Sequence, residues 1–231
     1  MRVPMRAIVV TGGAPLPAVT IETLAPEASP IEAMYIAADS GLDHALAAGL
    51  KPSVLVGDCD SISPSGMAWA SAHKLEMQLF SPEKDFTDTE LGLQAALDRG
   101  ATEIILVSGG GDRLDHTIGA IAALGHPSLS GCSLLAAYWG LSFVRVLHGP
   151  ASAEFTVTPG ATFSLLTLHG VCTGVSLTGA LYPLEHEALQ AGASRGVSNE
   201  ADAADVSVSV ESGVLTIIFP DYRASANGAQ Q

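Results

Sequence analysis

The chain has 231 residues, 48% of them hydrophobic, and a formal net charge of −14 from 24 acidic and 10 basic side chains. That is enough apolar sequence for one large domain or two modest ones, and it excludes a disordered chain. The acidity leaves no basic face for nucleic acid or an anionic membrane, and it suits a cationic ligand or a metal.

In chain order, Arg6 to Val10 reads as a strand ending in Thr11-Gly12-Gly13, and Met34 to Ala37 as a second ending at Asp39. A short helix, Leu42 to Ala48, stops at Gly49. Val54 to Val56 is a strand leading into Gly57-Asp58-Cys59-Asp60-Ser61, and Ser63-Pro64 opens a helix, proline being favoured in a first turn. Leu75 to Phe80 is a strand leading into Lys84-Asp85-Phe86-Thr87-Asp88. Thr87 with Glu90 forms a capping box for a helix reaching about Asp98. Ile104 to Val107 is a continuous apolar strand, followed by three glycines and Asp112-Arg113-Leu114-Asp115-His116. Thr117 to Val144 carries no Asp, Glu, Lys or Arg, but Gly125-His126-Pro127-Ser128 interrupts it. A buried helix, a loop and a buried strand fit it better than a membrane span.

From about residue 141 short strands predominate: Leu141 to Leu147, Ala153 to Val157, Thr162 to Leu168 and Val171 to Leu177. Val206, Val208 and Val210 alternate with polar residues, and Ser212-Gly213 turns the chain into Val214 to Phe219 as a hairpin. The fold class expected is α/β: a mostly parallel α/β sandwich domain over residues 1–148, then a smaller all-β sandwich-like domain over 149–231. The tail from Arg223 to Gln231 is expected to fray. Cys59, Cys132 and Cys172 are scattered, with no CxxC or zinc spacing, and the N-terminal apolar run is too short for a signal peptide. Both features imply a reduced, cytoplasmic protein.

Three acidic motifs sit where strands end, the rim at which open α/β sheets bind ligands. Carboxylates gathered there repel one another unless a cation joins them, and magnesium carrying a polyphosphate is the natural one. Asp58 and Asp60, two apart, would share a face if the strand continued. Lys84 and Asp85 precede a helix N-terminus, where Lys84 can hold a phosphate as a point charge and Asp88 lies in the first turn. Arg113 follows a glycine-rich loop, and its fork suits a phosphate. Asp115 is a candidate N-cap, and His116 an acid–base group. The other six histidines take structural or surface roles. There is no GxxxxGK motif, no GxGxxG, no GxSxG and no HExxH.

These motifs resemble the thiamine pyrophosphokinase (thiamine diphosphokinase) family. The resemblance runs through Ala38-Asp39-Ser40-Gly41, Gly57 to Ile62, Lys84 to Asp88 and Arg113 to His116. It continues more weakly through Gly174 to Gly179, Tyr182-Pro183-Leu184 and Gly196 to Glu200. It implies a homodimer with active sites at the subunit interface, moving pyrophosphate from ATP to the thiamine hydroxyl to give AMP and thiamine diphosphate. It further implies that Asp58, Asp60 and Asp88 hold Mg²⁺. Asp39, Ser61, Lys84, Asp85, Thr87, Arg113 and Asp115 would position ATP, with Asp85, Asp115 or His116 assisting the proton. Ser198, Asn199 and Tyr182 would receive thiamine. Departures from the family pattern include Ser40, Ser53, Asp112, Ala120 and Thr167-Leu168-His169, and Asp112 is the one placed to crowd a phosphate. Two other readings compete. Asp58-Cys59-Asp60-Ser61-Ile62 also resembles the nucleophile motif of haloacid-dehalogenase-like phosphatases, although there that motif usually comes first in the chain. A non-catalytic thiamine or nucleotide sensor would use the same pocket without turnover.

Overall fold

The computed structural model describes residues 5–24, 33–111 and 113–222. Asp112 and the tail from Arg223 lie outside the described residues. The chain divides into two compact units, Met1–Ala120 with Gly131–Gly140, and Ile121–Ser130 with Leu141–Gln231.

The first unit is built on six strands: β1 (Arg6–Val10), β2 (Ala33–Ala38), β3 (Val54–Gly57), β4 (Glu76–Leu79), β5 (Glu103–Ser108) and β6 (Leu134–Trp139). They are parallel throughout, in the order β6-β5-β1-β2-β3-β4. Ala7, Val9, Val10, Ile104, Leu106 and Val107 are fully buried, so β1 and β5 are apolar on both faces, as a parallel sheet covered by helices requires. Between β1 and β5 the strand order reverses, and open α/β sheets tend to bind ligands at the C-terminal rim beside such a point.

The helices are α1 (Ala18–Leu24), α2 (Gly41–Ala47), α3 (Pro64–Ala72), α4 (Asp88–Asp98) and α5 (Leu114–Ala123). Two start as their sequences dictate. Thr87 and Glu90 form the reciprocal capping box of α4, and Ser63 caps α3 by accepting from the Gly66 N–H at 3.0 Å. A cap of this kind is worth about 1 kcal/mol. The expected buried helix after residue 114 is not buried. Leu114 is 69% and Ile118 55% exposed, and Ala120 is the one buried residue of α5 among those described. Absence of charge marked an apolar surface there rather than a core. The strand that follows, β6, is buried at Leu135, Ala136 and Ala137, as expected.

The second unit is a pair of antiparallel sheets. Its strands are β7 (Ser142–His148), β8 (Ala151–Thr156), β9 (Thr162–Leu166), β10 (Cys172–Thr178), β11 (Leu184–Leu189), β12 (Asn199–Glu200), β13 (Asp205–Val210) and β14 (Val214–Phe219). One sheet runs β12-β9-β14-β7 and the other β11-β10-β13-β8. The expected hairpin between β13 and β14 is absent. β13 pairs with β10 and β8, whereas β14 pairs with β7 and β9. Val206, Val208 and Val210 meet Leu215, Ile217 and Phe219 across the sandwich core instead of along an edge. Ser212-Gly213 therefore carries the chain from sheet to sheet, with Gly213 at φ +99°. Period-two alternation shows which side of a strand is buried but not which strand lies beside it.

Two of the histidines given structural roles serve a helix end. His169 Nε2 lies 2.7 Å from the Ala122 carbonyl, and His148 Nε2 lies 3.1 Å from that of Leu124. Both carbonyls lie at the C-terminal end of α5, where the helix runs out of N–H groups for its last carbonyls, and the Ala122 carbonyl also accepts from the Gly125 N–H at 2.9 Å.

Candidate active site

The first acidic group arises where β2 and β3 end side by side. Their parallel register sets Ala38 opposite Val56, so Asp39 and Gly57 leave the sheet level with each other. The strand does not continue through Asp58 and Asp60. Gly57 at φ +139° and Cys59 at φ +65° turn the chain, and the Asp60 N–H donates back to Asp58 Oδ1 at 3.2 Å. The two carboxylates converge through this turn rather than through strand alternation. A side chain at Gly57 would press on its surroundings, since a Cβ there would lie 3.0 Å from Asp88 Oδ1 and 3.2 Å from Asp39 Cβ.

Asp39, Asp58 and Asp60 each present an oxygen, all within 4.8 Å of one another. Ser61 Oγ donates to Asp39 Oδ2, while Asp39 Oδ1 is buried with no partner. Three carboxylates, one of them with a buried oxygen that has no partner, could supply oxygen donors to a hard cation such as Mg²⁺. Electrostatics reports the same crowding. The Asp60 N–H, then the charge of Lys84, hold the Asp58 carboxyl below its ordinary value, although burial opposes them. The charge of Asp58, followed by burial and then Asp39, pushes Asp60 above its own. Neighbouring carboxylates shifted in opposite directions mark an excess of negative charge.

Lys84 answers part of that excess. Its Nζ lies 2.8 Å from Asp88 Oδ1 and 3.5 Å from Asp58 Oδ2, with the side chain only 13% exposed. Burial lowers the ammonium's proton affinity, but Asp88 and then Asp58 outweigh it and the net shift is upward. Asp88 thus joins the group through Lys84, whereas Asp39, expected near ATP, is the third carboxylate of the cluster. Thr87 spends its hydroxyl on the α4 cap, accepting from the Glu90 N–H at 3.2 Å and lying 2.9 Å from Glu90 Oε2. Asp85 is exposed.

At the start of α5, Arg113 forks onto Asp115, Nε to Oδ1 at 3.0 Å and Nη2 to Oδ2 at 2.7 Å. That fork holds the Asp115 carboxyl far below the usual carboxylate range. Among the described residues, no hydrogen bond joins Asp115 or His116 to the carboxylate group. One positioning residue was not legible in the sequence. Asp43 of α2 accepts from Ser63 N at 2.7 Å and Ser63 Oγ at 2.6 Å, which fixes the far end of the 57–63 turn. Its only signal was an acidic residue in the first turn of a helix that follows Asp39.

In the second unit, Ser198 takes a left-handed conformation, φ +58°, and its N–H donates to Ser164 Oγ at 3.1 Å. Asn199 is buried, and its carboxamide bonds to both backbone groups of Tyr182, whose ring is exposed.

Two family models match this chain. Residues 30–135 match the thiamin pyrophosphokinase catalytic domain, and residues 152–215 match the thiamin pyrophosphokinase vitamin B1 binding domain. No curated protein sequence matches. Among solved structures, thiamine pyrophosphokinase from Bacillus subtilis superposes with a TM-score of 0.78 at 22% identity, over 94% of this chain and 100% of that one. The Geobacillus thermodenitrificans protein gives 0.74 at 24% identity, over 98% and 100%. Yeast thiamin pyrophosphokinase gives 0.71 at 12% identity, over 94% and 86%. These likenesses establish the fold, and the two models cover both units in the order the motifs follow. The chain belongs to the thiamine pyrophosphokinase family of thiamine diphosphotransferases.

Proposed function

We propose that this protein moves the pyrophosphoryl group of ATP to the hydroxyl of thiamine, giving AMP and thiamine diphosphate, with Mg²⁺ as cofactor. The observation that carries this reading is the convergence of Asp39, Asp58 and Asp60 at the rim of a parallel sheet, in a chain that also carries the vitamin B1 binding module. Asp39, Asp58 and Asp60 would hold the metal, with Asp88 beside them. When bound, Mg²⁺ supplies charge neutralisation and orientation of the phosphate oxygens.

The remaining work falls to the chain's own groups. The thiamine hydroxyl oxygen forms a bond to the β-phosphorus, the bond from that phosphorus to the α–β bridging oxygen breaks, and AMP leaves with that oxygen. Lys84 and Arg113 meet the negative charge that spreads over the phosphates. The hydroxyl proton goes to a carboxylate or imidazole, for which Asp85, Asp115 and His116 are the residues at hand. Ser61 orients Asp39. Tyr182 and Ser198 receive the thiamine, whose cationic ring suits an acidic, aromatic site.

The protein works as a homodimer in this reading, supported by the exposed Leu114 and Ile118 on α5. A reducing, cytoplasmic setting is supported by three free cysteines. No described helix is long and apolar enough to cross a membrane.

The direct test is purified protein with ATP, Mg²⁺ and thiamine, scored for products. AMP and thiamine diphosphate in equal amounts are expected. Free phosphate from a monoester, or tight thiamine binding without AMP, would overturn the assignment.

Lys84 provides a second test, one that does not depend on turnover. Its ammonium lies among the carboxylates that would hold the metal, so it competes with a free cation. Lys84→Met is expected to bind Mn²⁺ several-fold more tightly without nucleotide, read by electron paramagnetic resonance, because a like charge has gone. KM for ATP should rise about tenfold through loss of a charge-assisted contact. Unchanged Mn²⁺ affinity would remove Lys84 from the site.

A further inference from the structure

Helix α4 lies against the sheet through small residues. Gly92 faces Val9 of β1, where a Cβ on the glycine would lie 2.8 Å from Val9 Cγ1, and Leu93, Ala95 and Ala96 of the helix are buried. Apolar contact of this kind is close but not directional. It sets the distance of the helix from the sheet and leaves its position along the strand loosely defined. One turn nearer the helix start, the contact changes character. Thr89 precedes Gly92 by three residues and shares its face of the helix, and Thr11 follows Val9 by two and shares its face of the strand. Their hydroxyls meet, Thr11 Oγ1 to Thr89 Oγ1 at 2.9 Å, and either can donate. Thr11 is 8% exposed, and its N–H continues the ladder to the Val107 carbonyl at 2.9 Å, so the sheet side of the pair is fixed.

The pair stands next to the acidic group in the chain. Thr89 adjoins Asp88, whose Oδ1 receives Lys84 Nζ at 2.8 Å and would lie 3.0 Å from a Cβ at Gly57. Asp88 therefore abuts the end of β3, with little slack in that direction. The capping box of Thr87 and Glu90 closes the first turn of α4 on itself, so it shapes the helix start without relating it to the sheet. A hydrogen bond weakens steeply with distance and angle, and the one between Thr11 and Thr89 holds the helix along its axis as apolar contact does not. A displacement of about 1 Å at a reacting site costs on the order of a hundredfold in rate.

We infer that Thr11 and Thr89 are positioning residues: their hydroxyl bond locks the first turn of α4 to the end of β1, and so sets Asp88, and through it Lys84, against Asp58. The inference rests on the proposed pyrophosphoryl transfer for its ligand, and on the bond and the packing alone for the lock. The two threonines act through Asp88 and Lys84, with no substrate contact of their own.

A double-mutant cycle on the full-length protein tests it. Valine keeps the shape of threonine and removes the hydroxyl. Thr11→Val and Thr89→Val each leave one hydroxyl without its partner and are expected to lower the melting temperature by about 3 °C. The double variant leaves neither hydroxyl behind and should recover most of that loss. Function should not recover with it. Binding of Mn²⁺ with ATP in the absence of thiamine, read by electron paramagnetic resonance, is expected to weaken about tenfold in each single variant. The double variant should show the same factor, because all three lack one and the same bond. In all three, kcat for AMP formation should fall about tenfold, with KM for thiamine within about twofold of wild type. Thr89→Ser keeps the hydroxyl and should restore both the affinity and kcat. A double variant that regains Mn²⁺–ATP affinity along with its stability would show a bond that is structural alone, and would overturn the inference. So would single losses that multiply to about a hundredfold. Should Thr11→Val fail to fold, Thr89→Val against Thr89→Ser decides, and equal Mn²⁺–ATP affinity in those two overturns it. A wild-type protein that binds Mn²⁺ with ATP but forms no AMP would defeat the transfer reaction and leave this test standing, whereas one that binds neither would overturn both.

Discussion

Asp58→Asn and Asp60→Asn are each expected to lower thiamine-dependent AMP formation about a thousandfold, the scale of losing a metal that organises phosphoryl transfer. The substitution is nearly isosteric, so the turn between β3 and α3 should persist. In the Asp58→Asn variant the new carboxamide would still offer a carbonyl oxygen to the Asp60 N–H, the bond now made to Asp58 Oδ1 at 3.2 Å. What changes is charge: Asp39, Asp58 and Asp60 bring their oxygens within 4.8 Å of one another, and each variant removes one of three negative charges. Circular dichroism and the thermal transition should match wild type, and raised Mg²⁺ should restore part of the rate. Wild-type turnover in both variants would dismiss the carboxylates as metal ligands.

The largest expected loss of stability comes from Phe219→Ala. Phe219 is buried in the sandwich, with ring centroids 5.0 Å from Phe155 and 5.4 Å from Phe163. It also lies 5.8 Å from Tyr222 and 6.5 Å from Phe143. Four aromatic neighbours cannot collapse into the space of a missing ring without leaving their rotamers. The cost should therefore fall near the usual Phe→Ala range, about 3–5 kcal/mol. For a chain of this size that lowers the melting temperature by about 10 °C. Phe219→Leu should recover more than half of it. A loss below about 1 kcal/mol would mean that the aromatic cluster repacks freely.

Much of this was legible in the sequence because local chemistry and tertiary structure agree. Continuous apolar runs announced the parallel strands, and Thr87 with Glu90 announced the α4 capping box that forms. The legibility ends where position depends on residues distant in the chain. Asp39 could be placed at a strand end, but only the β2–β3 register sets it beside Asp58 and Asp60. The β13–β14 connection read as a hairpin because alternation is the same whether a strand's partner is its neighbour in sequence or not. Ile118, inside the uncharged run from Thr117, read as part of a buried helix because hydrophobicity does not distinguish an interior from an exposed apolar face. An asparagine near a proposed acceptor site suggests a ligand contact by residue type, and only the bonds to Tyr182 show where its amide goes.

The placement of Lys84 bears on the order in which ligands arrive. With Nζ at 2.8 Å from Asp88 and 3.5 Å from Asp58, the protein carries its own counter-ion inside the acidic cluster. A bare divalent ion must enter against that ammonium. A cation already carrying a polyphosphate brings, in the same step, the anion to which the ammonium can transfer. Under the proposed function, occupation would be an exchange of partners in which charge stays balanced, and the metal–nucleotide complex, rather than the free ion, is the species that this group of carboxylates and lysine would favour.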